Sequence, residues 1–200
     1  MSHTTWIHKL SRVIVLPLLN TPVTPNQLTA VRLASGLGAA VLFALGPQWH
    51  VTGAVAFVFS MLLDRADGEL ARMTGCTTSW GHTFDLVSDG LCNAAVFVGI
   101  GIGARGGILG LWAVPVGVLA GLSVAAILWL VIRIEARQGA RAAELGSAAG
   151  FDPDDAMLAV PVAMLLGWVD PLLLAAGIGA PLFALFMFVR FQRGLGPEAD

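Results

Sequence analysis

Charged residues are scarce in this chain: Asp, Glu, Lys and Arg make up 12% of its 200 residues, whereas 56% are hydrophobic. An ordinary soluble domain is roughly 45–50% apolar, so the composition excludes a typical soluble protein. The basic residues are also too few and too scattered for a nucleic-acid-binding surface. The mean hydropathy of +0.80 instead indicates an integral membrane protein.

Cysteine is scarce too, and the first residues do not have the pattern expected of a cleavable secretion signal. Cys76 and Cys92 are too far apart for a CxxC metal site and suggest no disulfide framework, so we interpret both as free thiols. The basic residues at 8–12 precede only a short apolar run that contains Pro17 and no small-residue cleavage pattern. Apolar residues recur there at helical spacing, at Trp6, Ile7, Leu10, Val13 and Ile14. Residues 1–22 are therefore predicted to form an interfacial amphipathic helix.

Apolar runs separated by turn signals predict an all-α domain of six membrane-spanning helices over residues 23–200. A spanning helix needs about 20 mostly apolar residues, whereas a β-barrel would need short alternating strands. The predicted spans lie at 27–45, 51–72, 80–103, 111–132, 155–169 and 172–191. Asp170-Pro171 is predicted to separate the last two.

Basic residues favour one side of these predicted spans. With the N-terminus in the cytoplasm, all the Lys and Arg residues except Arg105 fall on or toward the cytoplasmic side, as the positive-inside rule requires. Both termini are then cytoplasmic, as are the connections at 73–79 and 133–154. The expected setting is the plasma (inner) membrane of a prokaryote.

Glycines at four-residue spacing allow membrane helices to approach closely. Such pairs are Gly99 and Gly103, Gly103 and Gly107, and Gly117 and Gly121. They are equally compatible with a homodimer interface and with helix packing inside one chain.

Four aspartates gather at the ends of the second and third predicted spans. Asp64 and Asp67 are three residues apart and Asp85 and Asp89 four apart, so each pair projects from one helix face. Antiparallel packing of the two helices would bring the four carboxylates together. Because converging carboxylates repel one another and are costly at membrane depth, they predict a bound cation. Oxygen-only ligands favour Mg²⁺ or Mn²⁺ and leave Ca²⁺ open.

Small residues accompany these acids at helical spacing, namely Gly68, Ala71 and Gly81. Gly68 costs helix stability relative to alanine, so its position beside Asp67 indicates close approach of a substrate. Arg72 carries a planar fork of donors that suits phosphate oxygens. Together with the aspartates, these residues predict a site for phosphoryl-group transfer.

The spacing Asp64-x2-Asp67-Gly68-x2-Ala71-Arg72-x8-Gly81-x3-Asp85-x3-Asp89 resembles the signature of the CDP-alcohol phosphotransferase family at every fixed position. The segment 24–29, Thr-Pro-Asn-Gln-Leu-Thr, also resembles that family's lead-in to its first span. The resemblance implies an enzyme that transfers a phosphatidyl group from CDP-diacylglycerol to a polar alcohol and releases CMP. Glycerol 3-phosphate and inositol phosphate are the favoured acceptors, and the motif itself does not specify which alcohol is used.

The resemblance also implies roles for the four aspartates. Asp64, Asp67 and Asp85 would be ligands of a pair of Mg²⁺ or Mn²⁺ ions. Asp89 would take the proton from the attacking hydroxyl and could also contact the second ion.

Contacts with the donor nucleotide are implied in the same way. The nucleotide diphosphate would be contacted by Gly68, Arg72 and Thr78, and the cytidine side would be lined by Asn26, Gln27 and Thr29.

Residues outside the motif are candidates for the acceptor contacts. Three arginines, Arg133, Arg137 and Arg141, would form an acceptor-phosphate pocket if they turn inward, and membrane anchoring is an equally weighted alternative. The acidic group Asp152–Asp155 either caps the fifth span or contacts the acceptor.

A cation transporter or channel is the alternative from a different class, because carboxylates buried in membranes also mark ion paths. That function predicts acids distributed through the bilayer, whereas these gather at one end. A non-catalytic lipid-binding member of the same family is a third hypothesis, disfavoured because all four acids are present.

Overall fold

The computed structural model describes residues 15–138 and 157–193, and the described chain is predominantly α-helical. Its α-helices are α1 (Pro25–Ala44), α2 (His50–Thr74), α3 (Ser79–Gly103), α4 (Ala113–Gln138), α5 (Ala159–Leu165) and α6 (Val169–Arg193). Short 3₁₀ turns lie at Leu16–Leu18, Pro47–Trp49, Ala104–Gly106 and Gly110–Trp112. The predicted all-α class is confirmed, and the first four predicted spans coincide with α1 to α4 to within a few residues.

Four helical segments are long and apolar enough to cross a membrane: Pro25–Ala44, Ser79–Gly106, Gly110–Ile134 and Val169–Val189. They indicate an integral membrane protein. Helix α2 has 25 residues, but its second half is rich in charged side chains. Helix α5 has seven residues, and the predicted fifth span begins in the part of the chain outside the described residues. The count of six spans and the orientation of the termini therefore stay predictions.

Local sequence signals determine the helix ends around the aspartates. The Thr24 hydroxyl accepts a hydrogen bond from the N–H of Gln27 (3.4 Å), and the Gln27 side chain accepts one from the N–H of Thr24 (3.0 Å), which forms a capping box for α1. Gly75 ends α2 with a φ of 69°, a left-handed conformation that glycine adopts without steric cost. The Thr78 hydroxyl caps α3 by accepting from the N–H of Gly81 at 3.0 Å. The ends of α2 and α3 that carry the aspartates thus lie on either side of a short connection.

The break between the last two helices comes earlier than predicted. It falls around Gly167, whose φ is 72°, and α6 already begins at Val169. Asp170 and Pro171 lie in the first turn of α6, where backbone N–H groups have no intrahelical partner and proline costs little. Asp-Pro is therefore a helix-start signal here and does not separate the two helices.

Helices α1 and α3 occupy the centre of the bundle. Helix α1 contacts α2 and α3, α4 contacts α3 and α6, and α5 contacts α2. Large buried core residues come from α1, α2 and α3, among them Phe43, Phe57, Val96, Phe97 and Ile100. Only 6% of the most apolar stretch of α6 is buried inside the structure, so this helix lies at the edge of the bundle.

Five glycines allow α3 to lie against α1 on one side and α4 on the other. A Cβ atom on Gly99 or Gly103 would collide with a backbone carbonyl oxygen of α1. A Cβ on Gly101, Gly117 or Gly121 would lie 2.5–2.6 Å from a carbonyl oxygen on the facing helix of the α3–α4 pair. We call these five residues the glycine seam. They pack helices within this chain, while a homodimer stays a prediction.

A second, smaller cluster of buried apolar side chains lies next to the aspartates. It consists of Val15, Leu28, Leu63, Ala66 and Leu70, with Leu18, Leu19 and Val23 packed against it. The cluster joins the segment before α1 to the end of α2. Of the predicted interfacial helix at 1–22, residues 1–14 lie outside the described residues, so that prediction is untested.

Candidate metal centre and active site

The end of α2 and the start of α3 bring three of the predicted aspartates together. Asp64, Asp67 and Asp85 each offer one carboxylate oxygen, and these oxygens lie within 4.8 Å of one another. We call these residues the aspartate triad. Asp89 lies one helical turn after Asp85 and joins the triad through a shared arginine, so the four carboxylates form one cluster.

Arg32 of α1 is that arginine, and its side chain is only 2% exposed. Its Nη1 atom lies 2.8 Å from an oxygen of Asp64 and 2.7 Å from an oxygen of Asp85. Its Nη2 atom donates to Asp89 at 2.7 Å. The guanidinium therefore connects carboxylates from α2 and α3, and its charge-assisted contacts are of the strong kind.

Asp67 is held separately, by a neutral donor. The hydroxyl of Thr29 donates to Asp67 Oδ2 at 2.6 Å, and Asp67 is only 3% exposed. Thr29 lies one turn before Arg32 on α1, so a single face of α1 contacts all four aspartates. Thr29, expected near the cytidine, is placed by the structure against a triad carboxylate.

Asp89 differs from the triad in what surrounds it. Its Oδ1 atom accepts from Arg32 and also from the Asn93 side chain at 3.0 Å. Asp89 and Asp64 line a small cavity of about 20 Å³, room for about one water molecule or hydroxyl group. The other residues lining this cavity are Arg32, Phe57, Ser60, Met61, Arg65, Cys92, Asn93 and Met157.

The donor set of the triad fits a hard divalent cation. All three side chains offer carboxylate oxygens within reach of one ion, and Mg²⁺ and Mn²⁺ prefer such ligands. Arg32 and Arg65, which lines the same cavity, carry too little positive charge to balance four carboxylates, so negative charge is left for a cation to neutralise. Arg32 and a cation are therefore compatible neighbours in this cluster.

Several residues predicted to contact the nucleotide lie around Gly81. A Cβ atom at Gly81 would be 3.0 Å from Asn26 Oδ1 and 3.0 Å from Thr78 Oγ1, so the missing side chain lets these two polar groups converge. Thr78 is at the same time the N-cap of α3. The start of α1 and the start of α3 thus present polar atoms side by side.

Gly68 and Arg72 lie one turn apart on α2, beyond the triad. The Arg72 guanidinium donates to Glu69 at 2.9 Å and is 60% exposed. It also lies 3.4 Å from the position a Cβ on Gly68 would take. Gln27, predicted on the cytidine side, uses its side chain oxygen in the capping box of α1.

The predicted acceptor arginines are only partly described. Arg133 is exposed near the end of α4 and lies over the ring of Trp129, 4.9 Å from its centroid. That contact suits membrane anchoring, the predicted alternative to an acceptor-phosphate contact. The side chain of Arg137, and both Arg141 and Asp152–Asp155, lie outside the described residues.

Arg32 was not among the site residues predicted from the sequence. It was predicted only as one of the basic residues on the cytoplasmic side. The signal that could have found it is its position in an apolar helix, one turn after Thr29, since a charge inside a membrane helix normally has a partner. Asn93, one turn after Asp89, was missed in the same way.

A family model described as CDP-alcohol phosphatidyltransferase matches residues 22–190. This range contains α1 to α5, most of α6 and every residue of the aspartate cluster.

Curated relatives match a shorter segment. A phosphatidylinositol phosphate synthase of Mycolicibacterium smegmatis is 38% identical over 93 residues, which cover 46% of this chain and 41% of the relative. A protein of the same name from Corynebacterium glutamicum is 37% identical over 44% of this chain and 42% of its own length. An archaetidylinositol phosphate synthase of Pyrococcus horikoshii is 34% identical over 43% of this chain and 45% of its own length. Each match thus spans less than half of the relative.

Proposed function

The chain belongs to the CDP-alcohol phosphatidyltransferase family, and on this premise we propose that it transfers a phosphatidyl group from CDP-diacylglycerol to a polar alcohol and releases CMP. The observation that carries the proposal is the convergence of the four signature aspartates. Three of them form the triad, and the fourth, Asp89, lines the adjoining cavity.

In the proposed reaction the acceptor hydroxyl attacks the phosphorus that carries the lipid. A bond forms between the acceptor oxygen and this phosphorus, the bond to the CMP oxygen breaks, and the hydroxyl proton passes to Asp89. A pair of Mg²⁺ or Mn²⁺ ions held by Asp64, Asp67 and Asp85 would neutralise charge on the diphosphate and stabilise the departing CMP. Asp89 is suited to the base role because Arg32 and Asn93 orient its carboxylate beside a hydroxyl-sized cavity.

The donor nucleotide is proposed to bind at the end of the bundle where α1 and α3 begin and α2 ends. Asn26 and Thr78 offer polar atoms beside Gly81, and Arg72 is exposed enough to exchange Glu69 for a phosphate. Gly68 leaves space next to that guanidinium. The acyl chains of the donor would stay in the bilayer while its head group lies at this polar boundary.

The names of the relatives favour inositol phosphate as the acceptor. The lipid part of their names differs between phosphatidyl and archaetidyl, whereas the inositol phosphate part is shared. Glycerol 3-phosphate is the second candidate. Both are phosphorylated alcohols, so Arg133, Arg137 and Arg141 are retained as the proposed phosphate contacts.

The proposed setting is the inner membrane of a prokaryote, with six spans, both termini and the active site at the cytoplasmic side, and a homodimer as the assembly. Arg65, Arg72 and Arg133 belong to the end of the bundle that carries the aspartates, whereas Arg105 follows the opposite end of α3. That distribution agrees with the positive-inside rule. The transporter alternative is weaker, because the four aspartates share one end of α2 and α3.

The test is to incubate purified protein with CDP-diacylglycerol, Mg²⁺ and one acceptor at a time, and to measure CMP and the lipid product. We expect CMP release with inositol phosphate that stops in chelator and in the Asp67→Asn variant. Preference for glycerol 3-phosphate would change the acceptor but keep the reaction. Cation flux in liposomes without CMP release from any acceptor would support the transporter instead.

A further inference from the structure

Arg32 lies in an apolar helix and is held there by contacts of both its main chain and its side chain. Its backbone carbonyl accepts hydrogen bonds from the Ser35 hydroxyl at 2.9 Å and from the Ser60 hydroxyl of α2 at 3.0 Å. Its guanidinium reaches Asp64 on α2 and Asp85 on α3. The residue therefore connects three helices through both its main chain and its side chain.

The geometry of these contacts needs the fork of a guanidinium. Nη1 donates to Asp85 Oδ1 at 2.7 Å and to the backbone oxygen of the same residue at 3.3 Å, while Nη2 donates to Asp89. One nitrogen thus binds Asp85 and the other binds Asp89, and these two aspartates lie one helical turn apart on α3. A lysine has a single ammonium group and could neutralise charge there without reproducing this arrangement.

The charge of Arg32 matters as much as its shape. Carboxylates this close repel one another strongly in a partly dehydrated site, and arginine stays protonated under all ordinary conditions. Asp64 and Asp85 approach the same nitrogen, so their separation is set by that atom. Without it, Arg65 would be left as the neighbouring positive charge in the cavity, and the carboxylates of α2 and α3 would repel one another more strongly.

We propose that Arg32 is a positioning residue: it holds Asp64, Asp85 and Asp89 in their catalytic arrangement before a divalent cation and substrate bind. It acts through the aspartates and does not itself react. The part of this proposal that concerns turnover rests on the proposed function, whereas the part that concerns stability does not.

The experiment compares Arg32→Gln, Arg32→Lys and Arg105→Gln as full-length proteins in detergent. Arg105→Gln is the matched control, because it removes the same charge from an exposed position after the far end of α3. Melting temperature is measured in chelator and in Mg²⁺ alone, and kcat and KM are measured separately with CDP-diacylglycerol.

In chelator we expect Arg32→Gln to melt about 5–15 °C below the wild type, since a buried charge pair is broken. Added Mg²⁺ should remove at least half of that deficit, because the cation supplies the missing positive charge. Arg32→Lys should melt within about 5 °C of the wild type, with kcat at least about tenfold lower and an unchanged KM. The control should match the wild type in every measurement.

The proposal is overturned if Arg32→Gln melts like the control in chelator, if Mg²⁺ leaves its deficit unchanged, or if Arg32→Lys keeps full kcat. Should Arg32→Gln fail to fold, the double variant Arg32→Gln/Asp85→Asn removes one charge of each sign and should restore folded protein; continued failure also overturns it. A wild type that releases no CMP with any acceptor would refute the proposed function, while the melting data would still decide the role of Arg32.

Discussion

The two ends of α3 are held by opposite kinds of contact. In its first half, Asp85 and Asp89 meet a buried guanidinium at 2.7 Å, through directional, charged hydrogen bonds. At its last turns, Gly99 and Gly103 place the backbone of α3 directly against the carbonyl groups of α1. The first region depends on charge and orientation, and the second on the absence of side-chain atoms.

Because of this difference, loss of activity and loss of stability can be produced separately along one helix. In the aspartate cluster, a carboxylate can be replaced by an amide of the same size, so the chemistry can be lost while the packing survives. In the glycine seam, a single added methyl group displaces a backbone, so the packing is lost while the aspartates are untouched. Carboxylate-to-amide variants at one end and glycine-to-alanine variants at the other should therefore fail in different measurements.

The largest effect is expected from Asp89→Asn. The amide keeps the size of the side chain but cannot take a proton, so turnover should fall by about 100-fold or more. Binding of CDP-diacylglycerol and the melting temperature in Mg²⁺ should change little. Asp170→Asn is the matched control, an identical change beyond the opposite end of α3, and should keep full turnover. Unchanged turnover in Asp89→Asn would remove its assignment as the base.

The next largest effect is expected in the glycine seam, from Gly99→Ala. The new Cβ would collide with the carbonyl oxygen of Ala40, which belongs to the backbone and cannot rotate away. Overpacking of this kind costs about 1–3 kcal/mol, or a melting temperature lower by roughly 2–12 °C. Gly38→Ala on α1 is the control, because a Cβ there meets nothing within 4 Å. Equal stability of the two variants would show that close helix approach does not depend on this glycine.

The two ends of α3 also differ in how much of their contacts the sequence predicts. The apolar runs predicted α1 to α4, and the spacing of the four aspartates predicted that their carboxylates would lie close together, because helical periodicity places each pair on one helix face. The expected direct packing of α2 on α3 was wrong as the reason, because both helices pack against α1 instead. The glycine pairs could not be assigned to contacts within or between chains, since either kind of close approach requires small residues.

Arg32 shows a different limit of the sequence. The positive-inside rule already accounts for a basic residue at this position. The order of residues does not reveal that α1 lies between α2 and α3. Only the packing shows that this arginine points at the carboxylates of both neighbours. Asp170-Pro171 was misread for a local reason, since the same pair can end one helix or start the next.

A smaller effect is expected from Thr29→Val, which tests the neutral side of the aspartate cluster. Valine has nearly the same shape but leaves Asp67 Oδ2 without the hydroxyl that donates to it at 2.6 Å. A hydrogen bond to a charged group contributes about 1.5–3 kcal/mol, so turnover should fall by about tenfold or more at limiting Mg²⁺. Saturating Mg²⁺ should recover part of the loss. Thr83→Val, which removes an exposed hydroxyl on α3, should have no such dependence on Mg²⁺.

The smallest effect is expected from Asp170→Ala, at the end of the bundle away from the aspartates. The Asp170 carboxylate accepts long hydrogen bonds from the N–H groups of Ile108 and Leu109, at 3.3 and 3.4 Å, and thereby joins α6 to the connection before α4. These N–H groups are accessible enough for water to replace the carboxylate, so the loss should be about 1 kcal/mol, or roughly 2–4 °C in melting temperature. Turnover per folded molecule should be unchanged. A fall in kcat without a fall in stability would mean that the two ends of the bundle are coupled, and that charge and packing are not as separable along α3 as their contacts indicate.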